Sequence, residues 1–405
     1  MDFALPAELI EFQELIREVA VGQVGPRAEE VDKTGEYPQD YFEVFREVGL
    51  LGLCLPAEHG GSGAGLLGLW LALEELSKVS VAAAVVLELA RTSAGPIMIA
   101  GTAQQRERYL PGIADGSQRA AIGLAEREAG DDVSCITTAA VPEPDGWRLS
   151  GTKCSVLGAA QADWFVVFAK TDDPASRARD SVTAFVVEAG AQGVALGSVE
   201  PREGVRGVAT VELALDGVLV PADCVIGAVG GGMRLAMLGA NLGGPLAAAR
   251  AVGLAEGALM CATEALQTTA LQTTALQTTA LQTTALQTTA DDGLRREVAR
   301  VAVDIEAVRL LSQRAAWMID VGQNDRQWSA QLSLANRAAA ELAVRATGLA
   351  AQVLGASPEG APVGRWSRDA HQLGAEAGSQ DACLERIAAG VIAHELWWGG
   401  LDLDL

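Results

Sequence analysis

Apolar and polar positions along this chain change period twice, and each change marks a change of architecture. Leu9, Phe12, Ile16 and Val19 recur at steps of three and four, which puts them on one face of an amphipathic helix over 7–19. Pro6 stands at its first turn, where a missing N–H costs least. A second helix is predicted over about 39–48. It runs into G-L-L-G-L-C-L-P-A-E-H-G-G-S-G over 49–63, too rich in glycine for anything but a loop. Helical pattern resumes over about 66–78 and 81–91, and a further helix starts at Gly101 and is expected to stop at Pro111-Gly112. Residues 1–120 therefore read as a helical domain.

From Ala121 the pattern turns to strands. Residues 147–150 alternate, 164–169 (W-F-V-V-F-A) and 182–188 (V-T-A-F-V-V-E) are β-favouring runs, and 208–215 alternate cleanly. D-G and G-T turn signals between them predict an antiparallel β-domain over 121–231. Helix returns from Gly232. Leu294, Val298, Val301, Ile305 and Val308 step by four, three, four and three, and further helices are expected over about 329–354 and 379–396. The whole is an α+β chain whose last part, 232–405, reads as an antiparallel four-helix-type bundle.

One stretch interrupts this order: A-L-Q-T-T repeats without variation over 265–289. A period of five turns each leucine by about 140° around a helix, so the leucines form no single stripe, and paired threonines disfavour helix modestly. The unit is too short for a solenoid. It reads as a low-complexity connection, with a helix extended by its neighbours' contacts as the alternative.

Composition narrows the function classes. The net charge of −22 excludes a general nucleic-acid partner, which requires a basic surface. No uninterrupted apolar run approaches the roughly 20 residues of a membrane span, and no basic-then-apolar leader opens the chain, so a cytoplasmic protein without a membrane partner is expected. Six scattered cysteines without a C-x-x-C pair, and three histidines, point to thiols rather than a metal site.

The stretches 49–63, 101–111 (G-T-A-Q-Q-R-E-R-Y-L-P), 123–132 (G-L-A-E-R-E-A-G-D-D) and 218–224, with Arg368-Asp369-Ala370, resemble the motifs of the acyl-CoA dehydrogenase family. Residues 49–63 are similar to its G-L-L-G-x-x-x-P-E-x-x-G-G-x-G loop, 101–111 to its G-T-x-x-Q-K-x-x-Y-L-P segment, and 123–132 to A-L-T-E-P-x-A-G-S-D. Residues 218–224 resemble V-x-V-P-x-x-N with Cys224 in place of asparagine, and Arg368-Asp369-Ala370 matches the R-D-A before the last helix. The resemblance implies FAD between the β-domain and the bundle. It also implies a glutamate that removes the α-proton of an acyl-CoA or acyl-carrier-protein thioester while the β-hydrogen leaves as hydride.

Departures fall on the implied flavin contacts, at the positions Leu124, Ala125, Gly130, Ser155, Leu157, Gln352 and Gly355. Ala125 replaces the threonine of L-T-E, and Ser155 and Leu157 replace the tryptophan and the threonine of W-I-T. Asn241 and Gly244 stand where the family has D-x-x-R, and the R-x-x-F-G loop, whose arginine reaches a neighbouring subunit's FAD, falls in the repeat. Gln352, Gly355 and Ala356 keep part of Q-x-F-G-G. Each lost hydrogen bond weakens binding by about 1 kcal/mol. These losses predict a degenerate flavin site in a protein that pairs with a homologous subunit in a homo- or hetero-oligomer, or handles an acyl thioester without flavin. The alternative is an active FAD-dependent dehydrogenase.

The base is read two ways. Counting without gaps from Arg368-Asp369-Ala370 puts Ala377 at the family's glutamate, and sliding by one restores Glu376. Asp131 in place of the motif serine sets a carboxylate toward the thioester channel, and Arg202 with Arg206 offers a local anion site. Trp164 reads as a core strand residue. Cys154 has no histidine nearby in sequence to make it a nucleophile.

Overall fold

The computed structural model describes residues 5–130, 132–171, 181–200, 202–277, 284–322, 327–355, 362–376 and 380–392. The N-terminal part holds α1 (Ala7–Val19), α2 (Ala28–Thr34), α3 (Gln39–Glu47), α4 (Gly65–Val79), α5 (Val81–Ala100) and α6 (Ala103–Ala114). Helix α6 starts on a reciprocal cap: Thr102 Oγ1 accepts from Gln105 N at 3.2 Å, and Thr102 N donates to Gln105 Oε1 at 3.0 Å. It does not stop at Pro111-Gly112. Proline removes one backbone bond there, while buried Tyr109, Leu110 and Ile113 hold the last turn on the core. Helix α5 likewise runs past 91 and through Pro96, because Ala94 and Ile97 continue its buried face.

The middle part is a sheet of β1 (Ala120–Gly123), β2 (Ala139–Glu143), β3 (Gly146–Leu157), β4 (Trp164–Thr171), β5 (Val182–Glu188), β6 (Val194–Glu200), β7 (Thr210–Pro221) and β8 (Val225–Ile226). Its order is β6-β7-β3-β2-β4-β5-β8, with β1 beside β4. Pairing is antiparallel except for β1 and β2, each parallel to β4. A register shift between Lys153 and Val156 bulges β3 against β7, and Ser155 in the bulge takes a φ of 52°, uncommon for a residue with a Cβ.

The C-terminal part comprises α7 (Gly232–Gln277), α8 (Thr284–Asp320), α9 (Gln327–Leu354), α10 (Val363–Glu376) and α11 (Gln380–Ile392). Helix α7 crosses α4 at glycines: a Cβ on Gly253 would lie 2.2 Å from Glu74 O, and one on Gly257 2.3 Å from Lys78 O. One apolar core runs through both helical parts, and a second fills the space between the sheet, α5 and α6. Within the described residues the A-L-Q-T-T stretch is helix, absorbed into α7 and α8, so the low-complexity connection gives way to the extended helix. Alanine, leucine and glutamine are adequate helix formers, and Thr268 Oγ1 returns its proton to Glu264 O at 2.9 Å. Helix α5 and residues 232–268 of α7 are long and apolar enough to cross a membrane by length and composition, and 61% of each such window is buried inside the fold.

Candidate active site

Two adjoining cavities lie where α5 and α7 meet the edge of the sheet. One, of about 320 Å³, is bounded by Arg91, Gly95, Pro96 and Ile99 of α5, by Leu235, Gly239, Leu242 and Leu246 of α7, and by Ile122, Leu124 and Phe168 from the sheet side. The α7 positions step by four, three and four, so a single helix face lines the space. Small residues on it, Ala236, Gly239, Ala240 and Gly243, leave the space between the helices unfilled. The second cavity, of about 170 Å³, is bounded by Ser155 and Leu157 of β3, Val85 and Leu89 of α5, Arg250 of α7 and Glu376 of α10. Glu88, Thr92 and Ile122 line both, so the two form one passage.

Charge is concentrated at the Glu376 end. Arg250 Nη1 donates to Glu376 Oε2 at 3.1 Å, Arg202 Nη2 donates to Glu376 Oε1, and Arg250 Nε lies 3.0 Å from Glu88 Oε2 as an ion pair without hydrogen-bond alignment. Burial raises the Glu88 carboxyl, an effect that Arg250 opposes and Glu376 reinforces. Burial also works against the Arg250 charge, but Glu88 and Glu376 outweigh it and hold this guanidinium protonated. The R-D-A motif sets this geometry. Asp369 Oδ1 accepts from Val205 N at 2.6 Å and holds Val205 at a φ of 51°, a strained conformation for a β-branched residue, in the loop that carries Arg202. Arg368 Nε donates to Glu203 O at 3.1 Å in the same loop, and its Nη2 pairs with Asp32 of α2.

On the sheet side, the motif glutamate Glu126 is a clamp. Its carboxylate accepts from Thr137 N and Oγ1 at 2.5 and 2.7 Å, from Thr138 N and Oγ1 at 3.0 and 2.6 Å, and from Lys153 Nζ at 2.7 Å. Lys153 Nζ also donates to Leu124 O at 3.2 Å. Burial alone raises a carboxyl, but the Lys153 and threonine bonds outweigh it and bring Glu126 down to about 2. Burial pulls Lys153 below its ordinary value, offset in part by Glu126.

The structure therefore brings Leu124, Ser155, Leu157 and Glu376 to one passage. Ala125 lies one residue beyond, its carbonyl accepting from Cys154 N at 2.9 Å. Gly130 is exposed, with a φ of 57° and nothing within 4 Å of a Cβ placed on it. Gln352 and Gly355 stand apart from the passage at the exposed C-terminal end of α9, where Gly355 takes a left-handed φ of 74°. Ala377, Asp131 and Ala356 lie outside the described residues. Arg202 turns to Glu376, whereas Arg206 lies near Gly35, so the two make no joint anion site. Trp164 is buried against Tyr109 with ring centroids 4.9 Å apart. Sequence reasoning missed Glu88, Arg91 and Arg250. The available signal was a charge standing alone in an alanine- and leucine-rich helix, where an uncompensated charge is costly.

Comparison with known proteins matches three family models in order: the acyl-CoA dehydrogenase N-terminal domain over residues 6–117, its middle domain over 121–218 and its C-terminal domain over 230–392. The chain is 33% identical over 374 residues to the short-chain-specific acyl-CoA dehydrogenase of Clostridium acetobutylicum, covering 91% of this chain and 94% of that one. It is 34% identical over 345 residues to cyclohex-1-ene-1-carbonyl-CoA dehydrogenase of Geobacter metallireducens, covering 85% and 87%. Among solved structures, butyryl-CoA dehydrogenase from Megasphaera elsdenii superposes with a TM-score of 0.85 at 29% identity, over 97% of this chain and all of that one. A glutaryl-CoA dehydrogenase in complex with glutaryl-CoA superposes at 0.86 and 28% identity, covering 97% of each chain. Relatives matched almost end to end and named as dehydrogenases overturn the degenerate-site expectation drawn from Ala125, Ser155 and Leu157. The physical reason is space: Ala125 and Ser155 are smaller than the threonine and tryptophan they replace, and Leu157, although larger than threonine, lines the cavity without closing it. The chain belongs to the acyl-CoA dehydrogenase family.

Proposed function

We propose that the protein is an FAD-dependent dehydrogenase that introduces an α,β double bond into an acyl-CoA or acyl-carrier-protein thioester, with Glu376 as base. The observation that carries this reading is the position of Glu376. It faces Ser155 and Leu157, the positions where the family meets its flavin, across a cavity that continues into an apolar passage between two helices.

The residues present fit the cofactor. Ser155 leaves space along β3, its hydroxyl donating to Glu200 Oε2 at 2.7 Å and its oxygen remaining able to accept, and Arg202 Nε is buried with no hydrogen-bond partner among the described residues. Leu124, Ser155 and Leu157, which line the passage, would hold the ring, with Ala125 next to Leu124 in the chain. FAD, when bound, supplies the acceptor for the β-hydride.

The chain's own residues do the rest. The apolar walls of the 320 Å³ cavity take the acyl chain and exclude water, which strengthens every charge interaction inside. Arg250 and Arg202 fix the Glu376 carboxylate from two sides, so that one oxygen is presented to the thioester α-carbon when substrate displaces part of this hold. Glu376 then takes the α-proton as the double bond forms. In Glu376→Gln, flavin content is expected to be retained, and turnover of a short-chain acyl-CoA to fall about 10²- to 10⁴-fold, the usual contribution of a positioned base. Turnover within twofold of wild type would remove Glu376 from this role.

A further inference from the structure

We propose that Arg91 is an oxyanion-binding subsite inside the passage, receiving an anionic group of the thioester: a carboxylate on the acyl chain or a phosphate of the carrier arm. The inference rests on the passage being the thioester site. Arg91 projects from the same face of α5 as Glu88, Gly95 and Ile99 into the otherwise mostly apolar 320 Å³ cavity, and it is absent from the Glu376 end. Its guanidinium is accommodated by a glycine. A Cβ on Gly95, one turn later, would lie 2.7 Å from Arg91 Nη1, so any larger residue there displaces the charged group.

Among the described residues Arg91 makes no hydrogen bond or ion pair, and the carboxylates near it are engaged elsewhere. Glu88 is paired with Arg250, and Asp320 accepts from Leu66 N at 2.6 Å and Leu67 N at 2.9 Å at the start of α4. Burial lowers the Arg91 pKa, with Cys54, Asp320 and Glu88 opposing. A ligand oxyanion can meet this guanidinium with charge-assisted hydrogen bonds, which a methyl-ended chain and a neutral carrier arm do not make.

The test is calorimetric binding to the flavin-loaded protein of three probes: hexanoyl-CoA, adipoyl-CoA, and the hexanoyl thioester of N-acetylcysteamine, which lacks every phosphate. In Arg91→Met, a roughly 10- to 100-fold loss of affinity for adipoyl-CoA alone identifies the acyl carboxylate as the ligand group. A similar loss for both CoA esters, with the N-acetylcysteamine ester unchanged, identifies the carrier phosphate. Gly95→Ala, which keeps the arginine but moves it, is expected to reproduce whichever pattern appears. Unchanged affinities for all three probes in both variants, or equal losses that include the uncharged short ester, would overturn the subsite. Wild-type protein that binds the CoA esters without forming enoyl product refutes the desaturation reading and leaves the Arg91 comparison intact.

Discussion

Replacing Lys153 by methionine removes a buried ammonium at nearly constant length and leaves the Glu126 carboxylate facing only Thr137 and Thr138. Neither partner is more than 5% exposed. Removing one side of such a pair costs about 3–5 kcal/mol. Glu126 itself falls from the ordinary 4.5 to about 2, which at about 1.4 kcal/mol per pKa unit corresponds to about 3 kcal/mol at neutral pH for Lys153, Thr138 and Thr137 together against the cost of burial, with Lys153 supplying part of it. The burial that depresses Lys153 offsets part of this, so the lower end of the range is expected. The sign follows from the direction. With the folded value below the unfolded one, the Glu126 contribution is complete above pH 4.5 and is lost as pH falls toward 2. Urea unfolding at pH 7 is expected to show Lys153→Met less stable by about 3 kcal/mol and failing at higher pH than wild type on acidification. Lys153→Met with Glu126→Gln removes the unpaired charge and is expected to recover part of the loss. A single variant as stable as wild type, or a double variant less stable than the single, would refute the clamp.

Two further outcomes follow from the loop that carries Arg202. A Cβ on Gly204 would lie 2.2 Å from Arg368 O and 2.7 Å from Asp369 N, so Gly204→Ala is expected to cost about 1–3 kcal/mol by overpacking and to lower turnover by separating Arg202 from Glu376; a wild-type melting temperature and rate would count against it. Burial pushes Asp369 from the ordinary 3.8 up to about 6, despite its bond from Val205 N, so its contribution to stability is complete below pH 3.8 and lost as pH rises through 6; in Asp369→Asn the stability difference between pH 4 and 7 is expected to shrink, as urea midpoints measured across that range will show.

Much of this fold is legible in the chain because its elements carry strong local patterns. Helix α1, helix α3 and the strands β4 and β5 are found where apolar spacing puts them. Helix ends were less legible. Pro111 and Pro96 look like stops in isolation, and tertiary burial of the residues beyond each decides otherwise. The parallel pairing of β1 and β2 with β4 has no local signature, since it depends on how the chain crosses the sheet. The A-L-Q-T-T stretch lacks an apolar stripe, yet it continues helices that neighbouring elements already hold. At the site, Glu376 was one of two readings separated by a single residue of alignment, and only its approach to Arg250 and Arg202 distinguishes it from a solvated helix-end carboxylate. Arg250 and Glu88 are 162 residues apart in sequence and meet only through the crossing of α5 and α7, so no motif announces them. Weighing Ala125, Ser155 and Leu157 as lost contacts overstated their effect, because a residue list records missing bonds and does not record the space that remains.

The central claim is that this passage oxidises an acyl thioester with flavin. An anaerobic titration of the purified protein with butyryl-CoA, hexanoyl-CoA and adipoyl-CoA, followed through the visible flavin absorption and the appearance of enoyl product, tests it most directly. The account predicts a yellow protein that bleaches with at least one of these esters as an equal amount of enoyl-CoA forms. A colourless protein that takes up no added FAD, or a yellow one that none of the three esters bleaches, would contradict it.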